Sequence, residues 1–172
     1  MLISEQYRAE QIYLHTQHDR SYKYGTGTNY QNVILQIFNA YRCKNALDYG
    51  CGKAILAKKL PFEVQLYDPA LTKYAALPNA ADLVICIDVL EHVEPELLTN
   101  VLQHLKELSN KVLFVAIGLT WAGRILRDGR NAHLIIKPVQ WWHGQFISHG
   151  MHIVRTYKSE SRKPDWVAEI TP

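Results

Sequence analysis

The sequence predicts an α/β fold: a mostly parallel sheet with helices on both faces, three layers in all, closing in an antiparallel hairpin. Three observations carry this. The short apolar runs "NALDYG", "FEVQLYD", "DLVICID" and "KVLFVAI" alternate with stretches whose apolar residues recur at helical spacing. "DLVICID" is apolar on both faces, as a strand inside a parallel sheet must be. The final stretches "MHIVRTYKSE" and "DWVAEIT", separated by a turn around Arg162 to Pro164, have the pattern of a hairpin.

Taken in order, residues 1–23 are polar with scattered aromatics. "YGTGTNY" is a loop in which Thr28 or Asn29 can cap a helix from Tyr30 to about Tyr41, whose buried face is Val33, Ile34, Ile37 and Phe38. "NALDYG" is the first strand, stopped by glycine, and "ILAKKL" a helix ended by Pro61. "FEVQLYD" ends the second strand on Asp68. After the "DLVICID" strand, a helix runs from about Pro95 to Leu108, with proline in its first turn and Leu97, Leu98, Val101, Leu102 and Leu105 as its stripe. "KVLFVAI" is the next strand, Gly118 to Lys137 a long loop over the ligand-binding end of the sheet, and Pro138 to Gly150 a helix bounded by its proline and glycine.

The chain has 172 residues, 48% of them hydrophobic, the length and apolar content of one domain. A net charge of +3 falls short of a nucleic-acid-binding stripe, so a nucleic-acid acceptor is left open but not favoured. Three widely spaced cysteines, Cys43, Cys51 and Cys86, argue for reduced thiols and a cytoplasmic setting. No window approaches the ~18 apolar residues of a membrane span, and no membrane partner is expected.

In open α/β sheets ligands bind beyond the carboxyl ends of the strands. The Gly50 to Ala54 loop, Asp68, and the segment Asp88 to Glu94 all fall there. A dinucleotide fingerprint fails because Ile55 stands where its last glycine or alanine belongs, and a phosphate loop fails at the same position. What remains is Asp48, two residues before Gly50, with a second acid, Asp68, closing the next strand. S-adenosylmethionine suits this pair: its amino-acid end can lie on the loop, and a carboxylate at the second strand's tip can accept from both ribose hydroxyls.

The set "LDYGCGKA", "LYDPA" and "DLVICIDVLEHV", followed by "NAHLIIKPVQWW", resembles the class I S-adenosylmethionine-dependent methyltransferases. Within these it is similar to a bacterial and phage group with a G-C-G-K-G type loop, Y-D-P, D-V-L-E-H and N-A-H…K-P-x-x-W-W. The resemblance covers about residues 24–142 and implies a Rossmann-like fold. Ala54 departs from the group's usual glycine. Placed in the first turn of a helix, it would be favoured over glycine by roughly 0.5–1 kcal/mol. Residues 69–81 are too few for the helix, strand and helix of the usual layout, since one crossover with its helix needs ~10–12 residues. The third strand is therefore expected to be missing, leaving six strands ordered 2-1-4-5-7-6 in the family's labels, with "LTKYAAL" as a short crossover helix.

The resemblance and the residues together give the candidate site. Cofactor binding falls to Tyr24, Gly25 and Thr28 of an N-terminal lid-like segment (residues 1–29), Asp48, Gly50, Cys51, Gly52, Asp68, Pro69, Ile87 and Asp88. Plainer readings stand beside these: a helix cap for Thr28, a turn cap for Asp48, a proline turn for Asp68, a loop role for Asp88. His92 is the candidate general base, because imidazole titrates near neutrality, with orientation of the loop as its alternative. Glu91 is expected to be a structural hydrogen-bonding residue. His133 and Lys137 are candidates for acceptor binding; simple solvation is the alternative. Of Trp141 and Trp142 at least one is core. His149 and His152 lack ligand companions and are structural. No metal is expected, since displacement at a sulfonium releases a neutral thioether unaided.

The leading function is methyl transfer to O or N of a small-molecule or glycan-type acceptor. Two alternatives stand: a non-catalytic S-adenosylmethionine-binding domain, and an RNA methyltransferase using Arg124, Arg127 and Arg130 as a phosphate contact row.

Overall fold

A computed structural model describes residues 1–16, 26–159 and 165–172. Six strands form one sheet: β1 (Ala46–Tyr49), β2 (Val64–Tyr67), β3 (Ala81–Ile87), β4 (Ser109–Gly118), β5 (His152–Tyr157) and β6 (Asp165–Thr171). Their order is β2-β1-β3-β4-β6-β5, parallel through β4 and antiparallel in the last two pairings. This is the expected six-stranded order without the third strand.

Alternation along the strands sorts the core into two layers. Leu47, Tyr49, Val84, Cys86, Leu113, Val115 and Ile117 face α3 (Leu98–Leu108) and α4 (Val139–Ser148), which contribute Val101, Leu102, Leu105, Trp142 and Phe146. Ala46, Leu83, Ile85, Val112, Phe114 and Ala116 face Ile34 and Ile37 of α2 (Gln31–Ala40). Trp142 is fully buried, and Trp141 packs against the same core from a half-buried position. All three cysteines are buried and free. At the hairpin end, Tyr41 and Tyr157 donate to the two oxygens of buried Glu169, at 2.6 and 2.5 Å, tying α2 to the last strands.

Four expectations are corrected. The segment "ILAKKL" forms only a 3₁₀ turn at Ala57–Lys59, and "LTKYAAL" only one at Thr72–Tyr74. Ala54 therefore does not open a helix: its φ is +54°, left-handed backbone in which glycine, not alanine, is favoured. Neither Thr28 nor Asn29 caps α2, whose N-cap is Tyr30 at the end of a 3₁₀ turn over Thr26–Tyr30, with no side-chain cap bond. The N-terminal stretch, in which the sequence pattern singled out no element, forms a helix, α1 (Glu5–Thr16).

Without a third strand β2 is the sheet edge. The Gln65 side chain pairs with the main chain of Asn79 in both directions, Nε2 donating to the carbonyl at 2.9 Å and Oε1 accepting the N–H at 3.3 Å. That cross-link occupies the edge locally, as managed edges require. No described helix is long and apolar enough to cross a membrane.

Candidate active site

The loop after β1 is shaped by its glycines. Gly50 (φ +79°) and Cys51 both donate to the Tyr67 carbonyl at the end of β2, at 2.7 and 3.0 Å. Gly52 (φ +48°) donates to Asp68 Oδ2 at 3.0 Å, and Ala70 donates to Asp68 Oδ1 at 2.9 Å. Asp68 is thus held with each oxygen using one acceptor position, and a carboxylate oxygen has a second. Cys51 is buried, and burial with the nearby Asp48 and Asp68 pushes its thiol up to about 12, so it remains protonated at neutral pH.

Asp48 is 5% exposed. Burial first, and then the negative charge of Asp68, raise its pKa to about 7. In the unfolded chain an aspartate loses its proton near ~3.9. Between these two values the unfolded chain binds fewer protons than the folded one, so stability falls as pH rises through that window and levels off above about 7. Asp48→Asn is expected to remove this slope and to raise the melting temperature at pH 8, by a contribution on the order of a few kcal/mol. Thermal melts of both proteins from pH 4 to 8 check this; parallel curves would contradict it.

At the tip of β3, Asp88 has φ +54°, donates its N–H to Ala116 at 2.9 Å, and turns the chain into a 3₁₀ turn at Leu90–His92. Non-glycine residues at positive φ are costly, and such strain collects at functional sites. Glu91 on this turn is fully buried: Oε1 accepts the Gly118 N–H at 2.7 Å, as expected for a structural hydrogen-bonding residue. Its Oε2 is buried with no hydrogen-bond partner, a loss of ~1–3 kcal/mol or more for a polar oxygen. Burial, with a contribution from Asp88, pushes its pKa well above the carboxylate range. His92 Nδ1 meets the Ala132 carbonyl at 2.7 Å, and His133 Nδ1 meets the Thr120 carbonyl at 2.5 Å. The two rings stand perpendicular with centroids 4.7 Å apart.

One cavity of about 400 Å³ connects these groups. Asp48, Gly50, Cys51, Gly52, Asp68 and Pro69 line it together with Ile87, Asp88, Glu91, His92 and His133. Lys137 and Thr28 are not among the described lining residues: Lys137 is exposed, its ammonium 5.9 Å from the Trp141 ring centre, and Thr28 lies half-buried in its 3₁₀ turn. Tyr24 and Gly25 lie outside the described residues.

A wall that sequence reasoning missed comes from the N-terminus: Leu2, Ile3, Tyr7, Gln11 and Leu14 also line the cavity. Tyr7 and Leu14, seven residues apart on one face of α1, pack with Leu126 and Ala132 of the loop after β4. Ser4 donates to Glu94 twice, from its N–H at 2.8 Å and its hydroxyl at 2.6 Å, and Glu10 pairs with Arg127 at 2.8 Å. Arg130 pairs with Asp128 at 2.6 Å. Two of the three arginines of the supposed phosphate row are therefore engaged by carboxylates of the chain itself.

No curated protein is a significant match to the sequence. Among solved structures, the chain is similar to the Burkholderia thailandensis 1,6-didemethyltoxoflavin-N1-methyltransferase, crystallised with 1,6-didemethyltoxoflavin and S-adenosylhomocysteine, at TM-score 0.71 and 12% identity over 99% of this chain and 90% of that one. It is also similar to the magnesium protoporphyrin IX methyltransferase of Synechocystis PCC 6803 bound to S-adenosylhomocysteine (TM-score 0.59, 18% identity, 95% and 91% covered). A third is the human N-acetylserotonin methyltransferase in complex with S-adenosylmethionine (TM-score 0.59, 14% identity, 83% and 51% covered). At these identities the likeness is one of fold. The sequence itself matches the methyltransferase domain family over residues 17–162, most of its length, and the chain belongs to that family.

Proposed function

We propose that the chain transfers a methyl group from S-adenosylmethionine to an oxygen or nitrogen of a small-molecule or glycan-type acceptor. The observation that carries this is the continuity of one cavity from the Gly50–Gly52 loop and Asp68 to His92 and His133. The unused acceptor positions of Asp68 take the two ribose hydroxyls, and Asp48 receives the cofactor's ammonium group. Pro69 and Ile87 give apolar walls beside the nucleoside, and the Asp88 turn approaches the methionine part. Solved proteins of the same fold named for small acceptors support the acceptor class. So does the wall that Leu2, Ile3, Tyr7, Gln11 and Leu14 add to the cavity. The Arg127–Glu10 and Arg130–Asp128 pairs weigh against RNA.

The reaction is an in-line displacement: the acceptor's lone pair forms the new bond to carbon as the bond to sulfur breaks, and a neutral thioether leaves. Alignment and removal of water are the main contributions of such a site. A hydroxyl acceptor must also lose its proton. His92 is the residue through which that happens: its Nδ1 donates to Ala132, leaving Nε2 with the basic lone pair.

Incubation with tritiated S-adenosylmethionine and fractionated metabolites tests the proposal through label in an acceptor and release of S-adenosylhomocysteine. Cofactor binding without release would favour the non-catalytic alternative, and strongly salt-dependent RNA affinity the third reading. His92→Ala is expected to slow turnover roughly 100-fold, the usual worth of such a group, with cofactor affinity within about twofold. Unchanged turnover would remove His92 from the mechanism.

A further inference from the structure

We propose that Glu91, His92 and His133 form a binding site for one divalent first-row transition-metal cation at the acceptor end of the cavity. One donor atom from each of the three lies within 4.8 Å of the others. Proximity alone would not make a site; three further features aim these side chains at a ligand. Glu91 is fully buried, its Oε1 is fixed by the Gly118 N–H at 2.7 Å, and its Oε2 has no partner, so a buried oxygen is left for something the chain does not supply. Both histidines hold Nδ1 against a main-chain carbonyl, Ala132 for one and Thr120 for the other. A carbonyl only accepts, so each Nδ1 carries the hydrogen and each Nε2 keeps its lone pair; this is the second-shell arrangement that fixes ligating imidazoles. Finally, a Cβ on Gly118 would stand 2.8 Å from Glu91 Oε1 and 2.9 Å from His133 Cε1. A side chain there would have to push the carboxylate or the second imidazole aside, so glycine at 118 leaves both in their present positions.

The donor set decides the class of ion. Calcium and magnesium prefer all-oxygen ligands, whereas two imidazoles and a carboxylate suit zinc, cobalt, manganese or ferrous iron. Bonds of ~2.1 Å would draw the donors to roughly 3–3.5 Å from one another, a modest closing of side chains carried on two separate segments. Because all three residues line the open cavity, coordination positions remain for an acceptor atom.

The use of the cation rests on the methyl-transfer reading, though its binding does not. A hydroxyl on the cation becomes more acidic and loses its proton to solvent; its oxygen then bonds to the methyl carbon as the carbon–sulfur bond breaks. With the cation bound, His92 Nε2 is a ligand and the proton passes to solvent; in the metal-free protein the same nitrogen is the base of the proposed mechanism.

Cobalt and zinc titrated into the chelator-treated protein test this, followed by calorimetry and by the visible absorption of bound Co²⁺. One equivalent is expected to bind with a Kd in the micromolar range or tighter. Glu91→Gln, which keeps an oxygen for the Gly118 N–H, and His133→Ala should each weaken binding at least 10-fold. Unaltered melting behaviour and S-adenosylhomocysteine affinity in the variants would show that they fold. No binding at 1 mM metal by wild-type protein that still binds S-adenosylhomocysteine would overturn the site, as would equally tight binding by folded variants. Metal binding without any affinity for S-adenosylhomocysteine would sink the proposed function and leave the cation site standing.

Discussion

Gly50→Ala is expected to unfold the cofactor loop. A methyl group there would stand 2.3 Å from Val89 Cγ2, far inside contact distance, and at φ +79° an alanine is strained whatever the space. The left-handed backbone costs ~1–2 kcal/mol and overpacking typically another ~1–3 kcal/mol. A sum on the order of 3 kcal/mol corresponds to a fall of roughly 10 °C in melting temperature for a domain of this size. Cofactor affinity should be lost with it, because Gly50 and Cys51 hold the loop on the Tyr67 carbonyl. Differential scanning calorimetry checks the first effect; a variant as stable as wild type would mean that the Val89 turn moves freely and that the loop is not built as described.

Asp68→Ala should weaken S-adenosylhomocysteine binding by about 100-fold or more, since two hydrogen bonds to a charged acceptor are worth ~1.5–3 kcal/mol each. The same substitution orphans the Gly52 and Ala70 N–H groups, so some loss of stability will accompany it. Asp68→Asn separates the two effects. The amide oxygen still accepts from one of the two loop N–H groups while the NH2 faces the other, so affinity should drop about 10-fold or more with a smaller loss of melting temperature than in Asp68→Ala. Calorimetric titration of the three proteins measures this. Equal affinities would remove Asp68 from the ribose.

The parts of the fold legible in the sequence are those where side-chain pattern alone dictates the outcome. "DLVICID" and "KVLFVAI" have the pattern of interior strands, and residues 69–81 are too few for the helix, strand and helix of the usual layout. What was misread depends on backbone geometry or on distant contacts. Ala54 looked like a helix-starting residue because "ILAKKL" has helical spacing, yet the chain takes a left-handed turn there and forms only three 3₁₀ residues. Helix α1 carries little amphipathic pattern of its own and is secured by Ser4 to Glu94 and Glu10 to Arg127, partners 90 and 117 residues away. In the site, Asp48, Gly50, Asp68 and His92 were visible because Asp48 lies near the carboxyl end of a strand and the other three follow one. His133 meets Glu91 and His92 only through the path of the loop after β4, and no local ligand spacing announces that grouping. The seven-residue spacing of Tyr7 and Leu14 was the available signal for the N-terminal wall.

The central claim is that the cavity running from the β1 loop to the two histidines holds S-adenosylmethionine, nucleoside toward Asp68 and sulfur toward His92. A crystal structure of the protein with S-adenosylhomocysteine measures it most directly. Both ribose hydroxyls are expected within hydrogen-bond distance of the Asp68 carboxylate and the sulfur on the side of the cavity facing His92; density for the ligand in any other pocket, or in the reverse orientation, would contradict this.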